Sequence, residues 1–241
     1  MKKLILAAFA LTTAVSIFAQ GTVNFANRIG AVGTTTPGLT THIWGPSSTA
    51  PTLSLLGFGS TDTTTRTPGT TPINFAAFGM TMVGQSNGLS ASTTLIQLLA
   101  GNATSASLLP ESSLVPDGQI ATFRTQTSVA GGIVPLTDTL NTVTAGGTFA
   151  TLEMVAWDDS SGQYSTWTTA SAAWMSGEIA AGKSGLFQVS GIGGGPGFVT
   201  PPNINDIQDF NSFNLYYIPE PATFALGGLG AAALLIFRRR K

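Results

Sequence analysis

The sequence predicts a mainly β protein, an antiparallel β-sandwich of jelly-roll or immunoglobulin-like kind. Three observations carry that expectation. Short stretches alternate apolar and polar residues with the period of two that a half-buried strand requires. Glycine and proline, 29 and 13 in number, punctuate them at turn-like spacing. Helix-type periodicity is scarce by comparison.

Taken in order, Gly21–Asn27 (GTVNFAN) sets Val23 and Phe25 on one face and Thr22, Asn24 and Ala26 on the other. Gly30–Thr41 and Gly59–Pro72 are Thr-Gly-Pro loops. Ile73–Val83 (INFAAFGMTMV) is a strand candidate. Ser90–Leu114 is ambiguous, because Leu95, Leu98 and Leu99 fit a helical stripe while Thr93, Thr94 and Ile96 favour a strand. Its β-rich surroundings favour the strand. Gly118–Thr127 adds another strand. Thr148–Asp158 (TFATLEMVAWD) carries apolar groups on both faces, as a central strand does. Ser184–Ser190 pairs Phe187 with Val189, and Phe210–Ile218 aligns Phe213, Leu215 and Tyr217. Ser190–Pro202 is a further Gly-Pro loop.

Only 9% of the 241 residues are charged, against roughly 25% in soluble globular domains. The four basic residues between Gln20 and Pro221 face eleven acids, a net charge of 4 − 11 = −7. Such a body repels phosphate backbones, which argues against nucleic-acid binding. With no cysteine, disulfides, thiolate nucleophiles and thiolate metal sites are excluded.

The remaining basic residues lie at the two ends. Lys2 and Lys3 precede an apolar run from Leu4 to Ala10, and Ile17-Phe18-Ala19 offers a processing site. This is the layout of a secretory signal peptide over residues 1–19, cut by signal peptidase after Ala19. At the other end, Pro219-Glu220-Pro221 precedes a charge-free segment, Ala222–Phe237, and a basic stop, Arg238, Arg239, Arg240 and Lys241. As a helix that segment spans roughly 24 Å, a little short of a ~30 Å hydrocarbon core, which snorkelling basic side chains can bridge. The basic cluster stays cytoplasmic and the body, residues 20–218, lies outside. Two prolines hold the preceding site extended and stop the helix from growing through it.

The order of these three parts resembles the PEP-CTERM sorting signal of Gram-negative bacteria over residues 219–241. The resemblance implies an exosortase, a membrane-embedded cysteine transpeptidase-like enzyme, that processes the chain near Pro219, Glu220 and Pro221. The body is also similar to uncharacterised passengers of that family, through Gly21–Arg28, Ala156-Trp157-Asp158 and Gly182-Lys183-Ser184. No activity carries over from them.

Within the body no catalytic constellation stands out and no cofactor is expected. His42 is the sole histidine, too few for a His-rich metal site, and its neighbours spell no Ser-His-Asp arrangement. The glycines of 191–197 fail the dinucleotide pattern, since Pro196 and Phe198 fall where its last glycine belongs. Gly182-Lys183-Ser184 is read as a turn, because no phosphate-binding helix follows. Asp158 and Asp159 form an acidic turn, a solvated turn first and a weak calcium candidate second. Glu153 beside these aspartates is a formal candidate for half of a glycosidase pair, an assignment that is arbitrary without geometry. Asn102-Ala103-Thr104 is a glycosylation sequon in spelling only. Tyr164, Trp167 and Trp174 lie in Ser/Thr-rich context and are expected to be exposed, where they would offer a sugar-stacking face. Trp157 is expected in the core. The function expected is an exported, non-enzymatic protein of the cell envelope or extracellular matrix. An exopolysaccharide-binding module is the alternative, and a polysaccharide-acting enzyme a distant third.

Overall fold

The computed structural model describes residues 20–29, 39–63, 71–194, 200–204 and 210–219. Residues 1–19, with the expected signal peptide, and Glu220–Lys241, with most of the expected sorting signal, lie outside them. Among the described residues the protein is mainly β with antiparallel sheets, as expected.

Strands β1 (Gln20–Phe25), β2 (Arg28–Ile29), β3 (Leu39–Thr40), β4 (Ile43–Trp44) and β5 (Leu56–Gly57) lead the chain. The long strands β6 (Thr94–Ala103), β7 (Val115–Thr122), β8 (Leu136–Thr144) and β9 (Phe149–Asp158) follow. Helix α1 (Trp167–Met175), β10 (Ala181–Ser190) and β11 (Ser212–Asn214) complete it. A four-stranded antiparallel sheet has the order β10-β9-β6-β7. β1 pairs with β8, and β11 lies between β4 (parallel) and β5 (antiparallel).

β9 is buried from Ala150 to Trp157, which is why it carries apolar side chains on both faces. On one face Leu152 and Met154 join Ile96 and Leu98 of β6 and Phe187 of β10 in the main core. Val23 and Phe25 of β1, Leu140 and Val143 of β8, and Phe213 of β11 belong to the same core. On the other face Val155 and Trp157 pack against Trp167, Ala170, Ala173 and Trp174 of α1.

The ambiguous segment is strand β6, because its ten residues pair with β9 along their whole length. Three expectations are corrected. Ile73–Val83 is not a strand: Phe75–Phe78 is a 3₁₀ turn, capped by Asn74 Oδ1 on the Ala77 amide and closed by Gly79 in the left-handed region (φ 71°). Gly182–Ser184 is not a turn but belongs to β10, whose bulge lies just beyond, where Gly185 adopts φ 73°. Trp167 and Trp174, expected in exposed Ser/Thr-rich context, lie on α1, with Thr166 as its N-cap. Strand β8 went unanticipated, since only Asp138, Leu140 and Val143 of its nine residues are buried.

Residues 24 and 27 tie the first strand region to distant parts of the chain. Asn24 donates to the Pro201 carbonyl at 3.2 Å, and Asn27, wholly buried, bonds three distant backbone groups.

Candidate functional site

The body ends flush against the expected sorting signal. Beyond β11, the Leu215 amide donates to the Trp44 carbonyl at 2.8 Å. Tyr216 exchanges both backbone bonds with Ala181, at 2.9 and 3.2 Å, and the Tyr217 amide donates to the Pro51 carbonyl at 2.9 Å. The Trp174 indole donates to the Tyr216 carbonyl at 2.9 Å. Ile218 packs, half-buried, on the α1 core, and Pro219 is exposed. One residue, Ile218, separates the last backbone-bonded residue from the proline motif. Glu220, Pro221 and Arg238–Lys241 lie outside the described residues, as does 222–237. Among the described residues no helix is long and apolar enough to cross a membrane.

The aromatic cluster is not an exposed platform. Trp167 and Trp174 are each only 6% exposed. Centroid separations of 5.8, 6.0 and 5.2 Å link Trp157, Trp167, Trp174 and Tyr216 into a buried ladder. The stripe of residues 167, 170, 173 and 174 is the helical spacing that buries them. Tyr164 is half-buried, its hydroxyl donating to Glu178 at 2.8 Å and its carbonyl accepting the Trp157 indole at 2.6 Å.

Below this ladder lies a charged cluster. Lys183 on β10 bonds Glu111 and stands 3.9 Å from Glu153 Oε2, its ammonium 5.8 and 6.0 Å from the Trp167 and Trp174 ring centroids. Glu153, on the central strand, is 2% exposed and its Oε2 accepts no hydrogen bond. Burial, then the neighbouring Glu111, raises its carboxyl from 4.5 to about 7, against the pull of Lys183.

A second acidic pair joins β7 to β8. Asp138 is fully buried, accepts from the Gln119 amide and leaves Oδ2 without a partner. Burial, together with Asp117, raises it from 3.8 to about 6 despite its amide bonds. For Asp117 burial acts upward, but bonds from Thr142, Asn141 and Gly118 outweigh it and hold the group below its usual range. Sequence reasoning missed both aspartates.

The structure also unites His42, Asp62 and Ser212, which the local sequence did not. Asp62 is the hub: it meets His42 Nδ1 at 2.9 Å and accepts Ser212 Oγ at 2.8 and 2.7 Å. A hydrolase triad needs serine on the histidine, with the carboxylate behind it. Here the hydroxyl donates to the carboxylate, accepts the His42 amide and is fully buried. The trio ties β11 to its neighbours.

Gly177, Gly182, Lys183 and Ser184 do spell the spacing of a phosphate loop. The order of elements is reversed, however. Helix α1 precedes them and strand β10 contains them, so no helix N-terminus faces a phosphate.

Asp158 and Asp159 serve their own turn. Asp158 accepts from the Ser160 amide at 2.9 Å and Asp159 from the Tyr164 amide at 2.7 Å. Among the described residues no group of three His, Cys, Asp or Glu could hold a metal. Glu153 and Asp158 project to opposite faces of β9, so they form no glycosidase pair.

An open groove of mixed polar and apolar lining runs elsewhere on the surface. Hollows of about 250, 420 and 360 Å³ adjoin, the first two sharing Ser92 and Thr125, the last two sharing Pro135. Arg124 lies in the middle hollow with Gln126, its Nε donating to the Ile133 carbonyl at 3.2 Å. Among the described residues none that lines the groove is acidic, in a body of net charge 4 − 10 = −6 over residues 20–218.

No curated protein and no solved structure matches the chain. The family model of the PEP-CTERM protein-sorting motif matches residues 218–241, beginning one residue beyond the last backbone-bonded residue of the body. The chain therefore carries a PEP-CTERM protein-sorting motif, which implies an exported protein, anchored in the membrane before exosortase processing.

Proposed function

We propose that the protein is an exosortase-sorted component of the cell envelope or extracellular matrix, whose body acts by structure and interaction and not by catalysis. In this reading signal peptidase removes residues 1–19, and residues 20–218 form an antiparallel β-sandwich. The exosortase then acts near Pro219-Glu220-Pro221, while Ala222–Phe237 holds the chain in the membrane against its basic stop. The observation that carries the proposal is the sorting motif abutting a body whose backbone is hydrogen-bonded up to Tyr217. One core shared by the four-stranded sheet and the β1-β8 pair supports the sandwich. The buried serine of the Asp62 cluster and the enclosed Glu153 support a non-enzymatic role.

Mass spectrometry of the native product tests the sorting. The expected mature form begins at Gln20 and ends near residues 218–221. A mature form still ending in Arg-Arg-Arg-Lys would make the tail a permanent anchor.

A second reading, recognition of an acidic exopolysaccharide, is favoured by the groove around Arg124 and not by the aromatic ladder. A guanidinium among hydroxyls and amides suits a carboxylate-bearing sugar chain, to which a charge-assisted bond contributes strongly. Arg124→Ala is expected to weaken retention on such a polymer by about tenfold. Unchanged retention, or none by the native protein, would remove this reading.

A further inference from the structure

The junction between body and sorting motif has almost no slack. An extended residue spans about 3.3 Å, so Pro219 stands within roughly 7 Å of the bonded Tyr217 backbone. An enzyme that cleaves a peptide chain grips several extended residues on either side of the bond it breaks. On the body side of the motif those residues are Leu215 to Ile218. They are held by the carbonyls of Trp44 and Pro51, by Ala181 and by the Trp174 indole.

Resting on the sorting reading above, we propose that exosortase processing is gated by release of the terminal segment 215–218 from the folded body. While that segment is docked, the enzyme meets only Pro219 and the residues beyond it. When it frays, three to four more residues become free to enter the enzyme. Cleavage of a transiently opened site follows the population of the open form, provided closing is faster than cutting. Each hydrogen bond holding the segment then lowers the processing rate by about two- to tenfold. The docked state depends on the whole fold, because the partners of the segment come from distant parts of the chain, residues 44, 51, 174 and 181, so a chain that has not folded lacks this restraint.

Two variants of the full chain, followed by pulse-chase in a host expressing the exosortase, test the gate. A six-residue Gly-Ser insertion between Ile218 and Pro219 supplies the missing slack without touching the fold. It is expected to raise the processing rate at least ~fivefold. Ala181→Cys combined with Tyr216→Cys staples the segment shut. The two residues exchange both backbone bonds, which places their Cα atoms about 5.5 Å apart, within disulfide reach. The chain has no other cysteine, and export leads to an oxidising compartment. The oxidised form is expected to be processed at least ~fivefold more slowly, and reductant to restore the rate. Recovery on reduction separates the staple from a folding defect. Equal rates for native, inserted and oxidised chains would overturn the gate and leave the sorting reading intact. No processing of any form would overturn both.

Discussion

The protein is expected to melt at a higher temperature at pH 5 than at pH 8, by roughly 10 °C. Two buried carboxyls drive the difference, Glu153 raised to about 7 and Asp138 to about 6. In each, one oxygen has no hydrogen-bond partner, so ionisation places in the interior a charge that Lys183 beside Glu153, or the amide bonds on Asp138, only partly offset. The folded chain therefore binds protons that the unfolded chain has released. Between about pH 4 and pH 7 stability falls as pH rises, and above 7 it levels off. From pH 5 to pH 8 the two groups together remove on the order of 4 kcal/mol. Asp117 acts in the opposite sense, since its lowered value gives stability that is lost as pH falls below about 4. The stability maximum is thus mildly acidic. Thermal unfolding followed by tryptophan fluorescence checks this, because all four tryptophans are buried. Glu153→Gln should flatten the curve between about pH 5 and 7, and Asp138→Asn between about pH 4 and 6. A melting temperature that rises from pH 5 to pH 8 would contradict the assignment of both groups.

Those carboxyls show where sequence reading stops. Nothing local marks Asp138 as buried: it sits among threonines in LTDTLNTVT, which spells an exposed loop as readily as a strand. Its burial is set by β1, more than a hundred residues earlier, which pairs Val23 with it. β9 was legible because apolar groups on both faces leave few alternatives to a central strand, whereas β6 was favoured as a strand only by its β-rich surroundings. α1 was legible in principle, since residues 167, 170, 173 and 174 lie on one helical face. The Thr, Ser and Ala between them read equally well as one of the Thr-rich loops nearby, which leaves the indoles outside. At Ile73–Val83 the apolar pattern was real, but the Asn74 cap and the left-handed Gly79 bend it into a turn. The sorting motif needed no tertiary information, because its three parts are contiguous and ordered. The docked segment before it did, as its partners are scattered along the chain.

Asn27→Ala is expected to destabilise the protein by about 4 kcal/mol, the largest effect foreseen for a single polar side chain. Asn27 is fully buried just beyond β1. Its Nδ2 donates to the carbonyls of Thr41 and Gly131, each at 2.8 Å, and its Oδ1 accepts the Ile133 amide at 2.8 Å. One short amide thus joins the first strand, the chain entering β4 and the turn preceding β8. Truncation to alanine opens a small cavity and strips the Thr41 carbonyl and the Ile133 amide of a partner. The Gly131 carbonyl is less affected, since it also accepts the Ile43 amide at 3.1 Å. Each orphaned group costs about 1–3 kcal/mol when water cannot reach it. Asn27→Asp separates hydrogen bonding from shape. It fills the same volume but turns an oxygen toward two carbonyl oxygens, exchanging two attractions for two repulsions. Its loss at neutral pH should equal or exceed that of alanine, with partial recovery in acid as the carboxyl gains a proton to donate. Chemical denaturation of the three proteins at pH 7 and pH 5 measures all of this. An Asn27→Asp protein as stable as the native one at pH 7 would mean that the clamp works by packing alone.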